Sequence, residues 1–159
     1  MPPRPTPVAS PRAALLAAML GGMLGAVARW QLQERTPTSE FGWTVLAINV
    51  GGSALMGVLM AWVASGTAPA LARPFLGVGV LGGFTTFSAY AVDVVTHVDA
   101  GHPVRALCYL VATVVAAVLA VVVGSLVGER WWPRDQDSRR FGASERRFDA
   151  SERRFGRRG

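Results

Sequence analysis

The sequence predicts an all-α integral membrane protein with four transmembrane helices. Of its 159 residues, 51% are hydrophobic and only 16% are charged, and the mean hydropathy is +0.34. A soluble domain carries about a quarter charged residues. The single cysteine, Cys108, excludes an internal disulfide, and no Cys/His spacing in the chain is typical of a zinc site.

Four apolar runs set the organisation of the chain. Residues 43–65, 74–92 and 106–128 carry no charge, and each is long enough to cross a bilayer core of about 30 Å. A shorter run, residues 13–28, ends at Arg29 and Trp30, which suit the headgroup region. A transmembrane domain is predicted over residues 13–132, with spans at about 13–32, 43–65, 74–96 and 105–128.

The first run has an alternative interpretation as a secretory signal peptide, because arginines precede it and Ala26-Val27-Ala28 looks like a cleavage site. The spacing of Gly21 and Gly25 favours a retained helix, since small residues four apart let helices approach closely in lipid. We therefore count four spans, with both termini on one side of the membrane.

The two ends of the chain are predicted to be disordered. Residues 1–12 are rich in proline, and residues 133–159 repeat a seven-residue pattern that begins Arg-Arg-Phe. An alternative for this tail is a strip that lies on anionic lipid, whereas nucleic-acid binding is not expected. Outside the distal tail, the helix-end arginines divide five to three between the two sides, a weak bias that permits both orientations. The distal tail adds eight arginines to the terminal side and favours one orientation, so fixed and dual topology are both open.

Polar side chains inside a span are the first candidates for function, because an uncompensated polar group is costly in lipid. Asn49 and Ser53 lie one helical turn apart in the second span, and Tyr109 and Thr113 do so in the fourth. Each pair serves either to hydrogen-bond neighbouring helices or to line a polar path.

In the third span, the run Gly82-Gly83-Phe84-Thr85-Thr86 predicts a helix break, since paired glycines followed by β-branched residues are poor helix formers. Backbone carbonyls freed by a break can hold a small cation. Beyond it, Phe87 and Tyr90 share one face, either to pack or to present positive ring edges to an anion.

The remaining polar residues give no enzyme site. Asp93, His97 and Asp99 follow the third span and are predicted to form a solvated helix end rather than a metal site. No carboxylate lies near the middle of a span, and no hydrolase or metalloprotease motif occurs. The chain is therefore not expected to be an enzyme.

Three motifs in order resemble the small fluoride channels known as the Fluc or CrcB family, over roughly residues 20–128. The segment Gly82 to Ser88 looks like the family's GGxTTFS, Gly25 to Trp30 is similar to GAxxRY/W, and Ile48 to Ser53 is similar to VNxxGS. The resemblance implies a fluoride-selective channel that passively exports fluoride across the inner (cytoplasmic) membrane and lowers its concentration in the cell. It also implies an antiparallel homodimer of dual-topology subunits with two pores and a structural sodium ion at its centre.

Carried onto this chain, the resemblance assigns three groups of residues. The carbonyls of Gly82 and Thr85 would hold the sodium ion, and Arg29 matches the arginine at the end of the first helix. The fluoride path would be lined by Asn49, Thr86, Phe87, Ser88, Tyr90, Tyr109 and Thr113.

The sequence departs from the family pattern at three positions. Tyr90 stands where phenylalanine is usual, Val45 where a threonine is common, and Ala117 where a hydroxyl is frequent. Some relatives pair two different subunits, so a heterodimer is one alternative. Two others are a small four-helix multidrug exporter, which would need a glutamate that residues 13–28 lack, and a membrane anchor whose function lies in the tail.

Overall fold

The structure of the chain, a computed structural model, describes residues 9–36 and 41–133. Four of its helical segments are long and apolar enough to cross a membrane, which confirms the predicted number of spans. They are Pro11–Arg35, Trp43–Ala64, Arg73–Asp99 and Pro103–Trp131. The described residues form no strand. The arginine-rich tail and the first eight residues lie outside the described ranges, so their predicted disorder stays a prediction.

The first helix, α1 (Pro11–Arg35), begins and ends with identifiable caps. The Ala13 N–H donates to Ser10 Oγ at 3.3 Å, and proline occupies the first helical position, where its missing N–H costs no bond. The helix ends where the Thr36 N–H donates to the Leu32 carbonyl at 3.2 Å. The apolar run suggests that Arg29 lies at the end of the first helix. Because α1 continues to Arg35, Arg29 instead lies six residues before the helix end.

The third span is not a uniform helix. Its first part, Arg73–Leu81, is π-helical, and the Gly82 N–H donates back to the Gly77 carbonyl, five residues earlier. A short helix, α3 (Gly82–Phe84), follows. Thr85 and Thr86 then have extended backbone, with φ/ψ of −75°/156° and −145°/125°, before α4 (Phe87–Asp99) begins. These extended residues lie at the position where the glycine and threonine pairs predict an interruption.

Helix α2 (Trp43–Ala64) packs mainly against α5 (Pro103–Trp131), while α1 packs mainly against the third span. Glycine makes both contacts close. A Cβ on Gly79 would lie 2.8 Å from the Gly21 Cα, and a Cβ on Gly57 would lie 2.6 Å from the Ser125 nitrogen. Small residues in these stripes allow the backbones to approach and increase van der Waals contact, the main source of helix association in lipid.

Every span exposes large apolar side chains, including Leu15, Leu55, Val78 and Leu119. The buried part of the fold is correspondingly small and centres on Val45, Tyr90 and Tyr109. A soluble protein would expose far less contiguous apolar surface, whereas hydrocarbon solvates it at no cost. The surface therefore agrees with a multi-pass membrane protein.

Candidate functional site

The side chain of Asn49 is bound to the backbone of Thr86. Asn49 Nδ2 donates to the Thr86 carbonyl at 2.9 Å, and the Thr86 N–H donates to Asn49 Oδ1 at 2.8 Å. The amide thereby pairs with the extended residue as a neighbouring β-strand would. One of the two Nδ2 protons is left for a further acceptor.

Other side chains bind the remaining backbone groups around Thr85 and Thr86. Arg29 Nε donates to the Gly83 carbonyl at 3.3 Å, and Thr85 Oγ1 donates to the Leu81 carbonyl at 3.0 Å. The Ala89 N–H donates to Thr86 Oγ1 at 3.2 Å, which caps α4. These contacts explain how extended backbone is tolerated within a membrane span, where no lipid group can satisfy it.

The carbonyls of Gly82 and Thr85 are among those that lose the donors that a continuous helix would give them. The Gly82 carbonyl would accept from the Thr86 N–H, which is committed to Asn49, and the Thr85 carbonyl would accept from the Ala89 N–H, which is committed to the Thr86 hydroxyl. Carbonyl oxygens are suitable ligands for a hard monovalent cation. The residues that the resemblance assigns to sodium therefore fit such an ion.

An open groove of about 340 Å³ lies beside the extended residues. Hydroxyl, amide and aromatic groups line one part of it, and apolar side chains of α5 line the other. Its residues are Asn49, Ser53, Thr85, Thr86, Phe87, Tyr90, Thr113, Val114, Ala117 and Val118. Thr113 Oγ1 is buried at the wall of this groove and makes no hydrogen bond to the other described residues that meets the usual distance and angle.

The two aromatic rings of the groove differ in exposure. The ring of Phe87 is 80% exposed, while Tyr90 is buried and its hydroxyl donates to the Leu110 carbonyl at 3.1 Å. Their ring centroids lie 5.7 Å apart at an interplanar angle of 54°, so neither ring covers the face of the other. The hydroxyl of Tyr90, absent from the usual phenylalanine, is thus bonded to backbone.

Tyr109 lies outside the groove, although its neighbour one turn on, Thr113, lines it. The Tyr109 side chain is fully buried, and its hydroxyl donates to Asp93 Oδ2 at 2.9 Å and lies 3.3 Å from the Gly42 carbonyl. Its ring packs against Tyr90 with centroids 5.7 Å apart. The structure therefore places Tyr109 behind the groove wall.

The predicted solvated end at Asp93, His97 and Asp99 is wrong for His97. Its side chain is only 6% exposed and stacks on Tyr109 at a centroid distance of 5.7 Å. Its Nδ1 donates to the Asp93 carbonyl at 2.6 Å, since a carbonyl can only accept, and its Nε2 is buried without a partner in the described part of the chain. The sequence pattern missed this because the covering aromatic, Phe41, comes from a distant turn.

The groove brings together six of the assigned site residues, which are Asn49, Thr85, Thr86, Phe87, Tyr90 and Thr113. Ser88 is outside its lining and contacts it indirectly, with its Oγ 3.3 Å from Thr86 Oγ1. Arg29 contacts the Gly83 carbonyl and Gln33, not the groove. The assignment left out Ser53, Val114 and Val118, which also line the groove, whereas Ala117 lies at the position where the resemblance places a frequent hydroxyl.

Four apolar spans, with an open groove that carries amide and hydroxyl groups beside extended backbone, define a multi-pass α-helical membrane protein. The sequence model of the family described as "CrcB-like protein, Camphor Resistance (CrcB)" matches residues 16–125. The chain belongs to this CrcB family, and the match includes every residue that lines the groove.

Named relatives agree with this family. The chain is 56% identical over 80 residues to "Fluoride-specific ion channel FluC 2" of Streptomyces avermitilis, which covers 49% of this chain and 50% of the relative. It is 53% identical over 105 residues to "Fluoride-specific ion channel FluC 1" of Rhodococcus jostii, a match that covers 66% of this chain and 77% of the relative. A FluC 2 of Nocardia farcinica is 44% identical over 95 residues, covering 57% and 65%. The chain thus spans from half to about three quarters of the length of these relatives.

Proposed function

We propose that this chain is a fluoride-selective ion channel that lets fluoride leave the cell passively across the cytoplasmic membrane. The observation that carries the proposal is the groove, in which Asn49, Thr113 and Phe87 converge beside the extended residues. The names of the relatives, all fluoride-specific channels, support the choice of ion.

The chemistry of the groove suits a small, strongly hydrated anion. A selective path must replace the water around fluoride with closely spaced donors. The spare Asn49 Nδ2 proton and the Thr113 hydroxyl supply such donors, and the exposed Phe87 offers its positive ring edge. The lining contains no fixed positive charge, so a bound anion is not held too tightly to leave.

A sodium ion held by the Gly82 and Thr85 carbonyls is part of the proposal. When bound, it supplies positive charge that offsets the negative ends of interrupted helices and favours anions nearby. On this chain, Arg29 binds the Gly83 carbonyl and Asn49 binds the Thr86 carbonyl, in the residues that directly follow Gly82 and Thr85.

The proposed assembly is an antiparallel homodimer. The groove is open on one side, and Phe87 at its rim is 80% exposed, so a second subunit can complete the wall. The weak arginine bias permits both orientations in one membrane. A heterodimer with a related chain is the alternative, in which this chain supplies only part of a pore.

The proposal is tested by fluoride efflux from liposomes that contain the purified chain alone, compared with chloride efflux. We expect fast fluoride efflux, no chloride efflux, and loss of about tenfold or more in Asn49→Asp, whose carboxylate repels the anion, and in Phe87→Ile, which lacks the ring edge. Equal fluoride and chloride efflux would overturn the proposed selectivity. No efflux from a folded sample would reject the homodimer and require a partner subunit.

A truncated chain separates the channel from a membrane anchor. Deleting residues 133–159 removes the arginine-rich repeat and leaves all groove residues in place. We expect fluoride efflux per reconstituted protein to be retained. A chain whose activity depended on the tail would lose it.

A further inference from the structure

The Thr86 N–H has two possible acceptors within the fold. In a continuous helix it would donate to the Gly82 carbonyl, four residues earlier. Here it donates to Asn49 Oδ1 at 2.8 Å, while the Asn49 amide also donates to the Thr86 carbonyl at 2.9 Å. The φ and ψ of Thr86, −145° and 125°, are those of an antiparallel strand paired on this edge.

We propose that Asn49 is a positioning residue for the cation site: by capturing the Thr86 N–H it keeps the Gly82 carbonyl open for a cation that Asn49 does not itself touch. The cation part of this inference rests on the proposed function. The capture of the Thr86 N–H does not, because it follows from the two hydrogen bonds alone. Asn49 thereby couples the groove to the carbonyls behind it.

The surrounding contacts leave this role to Asn49. Arg29 holds the Gly83 carbonyl, and Thr86 Oγ1 caps α4 by accepting from the Ala89 N–H. Both contacts oppose rewinding, yet neither provides an acceptor for the Thr86 N–H. Without the Asn49 oxygen, the Thr86 N–H has no partner within an apolar span, where an unpaired N–H is costly. The acceptor that a continuous helix would give it is the Gly82 carbonyl. Rewinding at Thr86 is then favoured.

Three variants separate the acceptor from the rest of the side chain. Asn49→Leu has similar volume and no polar atom, so it loses both bonds. Asn49→Ala also loses both and serves if Asn49→Leu fails to fold. Asn49→Asp keeps an oxygen that accepts from the Thr86 N–H and loses the Nδ2 donor to the Thr86 carbonyl, so it separates the acceptor bond from the donor bond. Ser53→Ala is the matched control, because Ser53 lies one turn further along α2 and lines the same groove.

The first measurement is the ¹³C chemical shifts of Thr86 in nanodiscs of the full chain labelled on threonine, assigned with Thr86→Ser. We expect extended-type shifts in the unmodified chain, in Ser53→Ala and in Asn49→Asp. In Asn49→Leu or Asn49→Ala we expect the shifts to move to helical values. Extended-type shifts that persist in these two variants would overturn the inference.

The second measurement is the sodium concentration that gives half of the sodium-dependent rise in melting temperature. We expect this midpoint to rise by about tenfold in Asn49→Leu and Asn49→Ala. Without the bond that holds the Thr86 N–H, sodium must first displace this N–H from the Gly82 carbonyl, which costs about as much as one hydrogen bond. In Asn49→Asp, sodium should bind no more weakly than in the unmodified chain, even though fluoride efflux is lost.

The outcomes distinguish this inference from the proposed function. If Asn49 is only a ligand for fluoride, its variants reduce efflux while the Thr86 shifts and the sodium midpoint stay unchanged, which would reject the positioning role. If the unmodified chain alone conducts no fluoride, the proposed homodimeric channel is rejected, yet helical shifts at Thr86 in Asn49→Leu would still support the capture of its N–H.

Discussion

Tyr109 donates its hydroxyl proton to the Asp93 carboxylate at 2.9 Å, and this bond joins the start of α5 to the middle of α4. Gly42, which precedes α2, completes the contact from a third segment, because its carbonyl lies 3.3 Å from the same hydroxyl. A side chain on Gly42 would not fit: its φ is +74°, and a Cβ would lie 2.6 Å from Asp93 Oδ2. Three segments are thus held together behind the groove.

Replacing Tyr109 with phenylalanine tests whether its hydroxyl belongs to the pore or to this contact. The ring contacts with Tyr90 and His97 remain, but the Asp93 carboxylate loses a donor, so we expect a loss of stability of about 1–3 kcal/mol with fluoride selectivity retained. Melting temperature in detergent and the fluoride-to-chloride efflux ratio measure the two effects. Combining it with Asp93→Asn should cost less than the sum of the single changes. Normal stability with lost selectivity would place the hydroxyl in the pore.

Thr113→Val tests the role of the buried Thr113 hydroxyl at the wall of the groove. The variant keeps the shape of the side chain and removes a buried hydroxyl that makes no well-aligned hydrogen bond to the described residues, so stability should change by less than about 1 kcal/mol. Fluoride efflux should fall by about tenfold if the hydroxyl donates to the passing anion. Thr96→Val is the control, because Thr96 is exposed and its hydroxyl bonds to the Val92 carbonyl on its own helix. Unaltered efflux in Thr113→Val would remove Thr113 from the path.

Gly25 and Gly22 form a matched pair for testing the contact between α1 and the third span. A Cβ at Gly25 would lie 2.9 Å from the Phe84 nitrogen, whereas a Cβ at Gly22 meets nothing within 4 Å. We expect Gly25→Ala to destabilise the protein by about 1–3 kcal/mol through overpacking, and Gly22→Ala to be neutral or stabilising through helix propensity. Melting temperatures of the two variants in the same detergent measure this difference in stability. Equal effects would mean that α1 does not pack through Gly25.

His97 offers a test of its buried, unpartnered nitrogen. His97→Phe keeps the stacking on Tyr109. It gains stability by removing the unpaired Nε2 and loses stability by removing the bond to the Asp93 carbonyl, so we expect a net change of about 1 kcal/mol or less in the free energy of unfolding. His97→Ala loses the ring and should cost about 2–4 kcal/mol. Melting temperatures of the two variants separate packing from polarity. A loss in His97→Phe as large as in His97→Ala would show that Nε2 has a partner in the assembled protein.

The four spans could be predicted because hydropathy over about 20 residues measures what the bilayer requires. The position of the extended residues was predictable too, since Gly82-Gly83 and Thr85-Thr86 weaken a helix locally. The π-helical start of the third span was not, because hydropathy does not distinguish one helical hydrogen-bond register from another. The close contact of this part with α1, where Gly79 lies against Gly21, was likewise not visible in the hydropathy.

The site was predictable wherever its residues lie within one turn of a motif, as Thr86 and Phe87 do. Arg29 and Tyr109 were harder, since their roles are decided by partners 54 and 16 residues away, the Gly83 carbonyl and the Asp93 carboxylate. A sequence pattern records that an arginine or a tyrosine is present. It does not record which distant backbone or side chain satisfies it.

The pairing of the helices also governs how the protein is made. The first two helices are neighbours in the chain but make few contacts with each other, because α1 packs on the third span and α2 packs on α5. During synthesis, both therefore enter the bilayer before their main partners exist, and each must persist there as a solitary apolar cylinder. The contacts of α1 can form once the third span is inserted, whereas those of α2 wait for the last span, so a chain that stalls after α2 leaves two helices with little to hold them together.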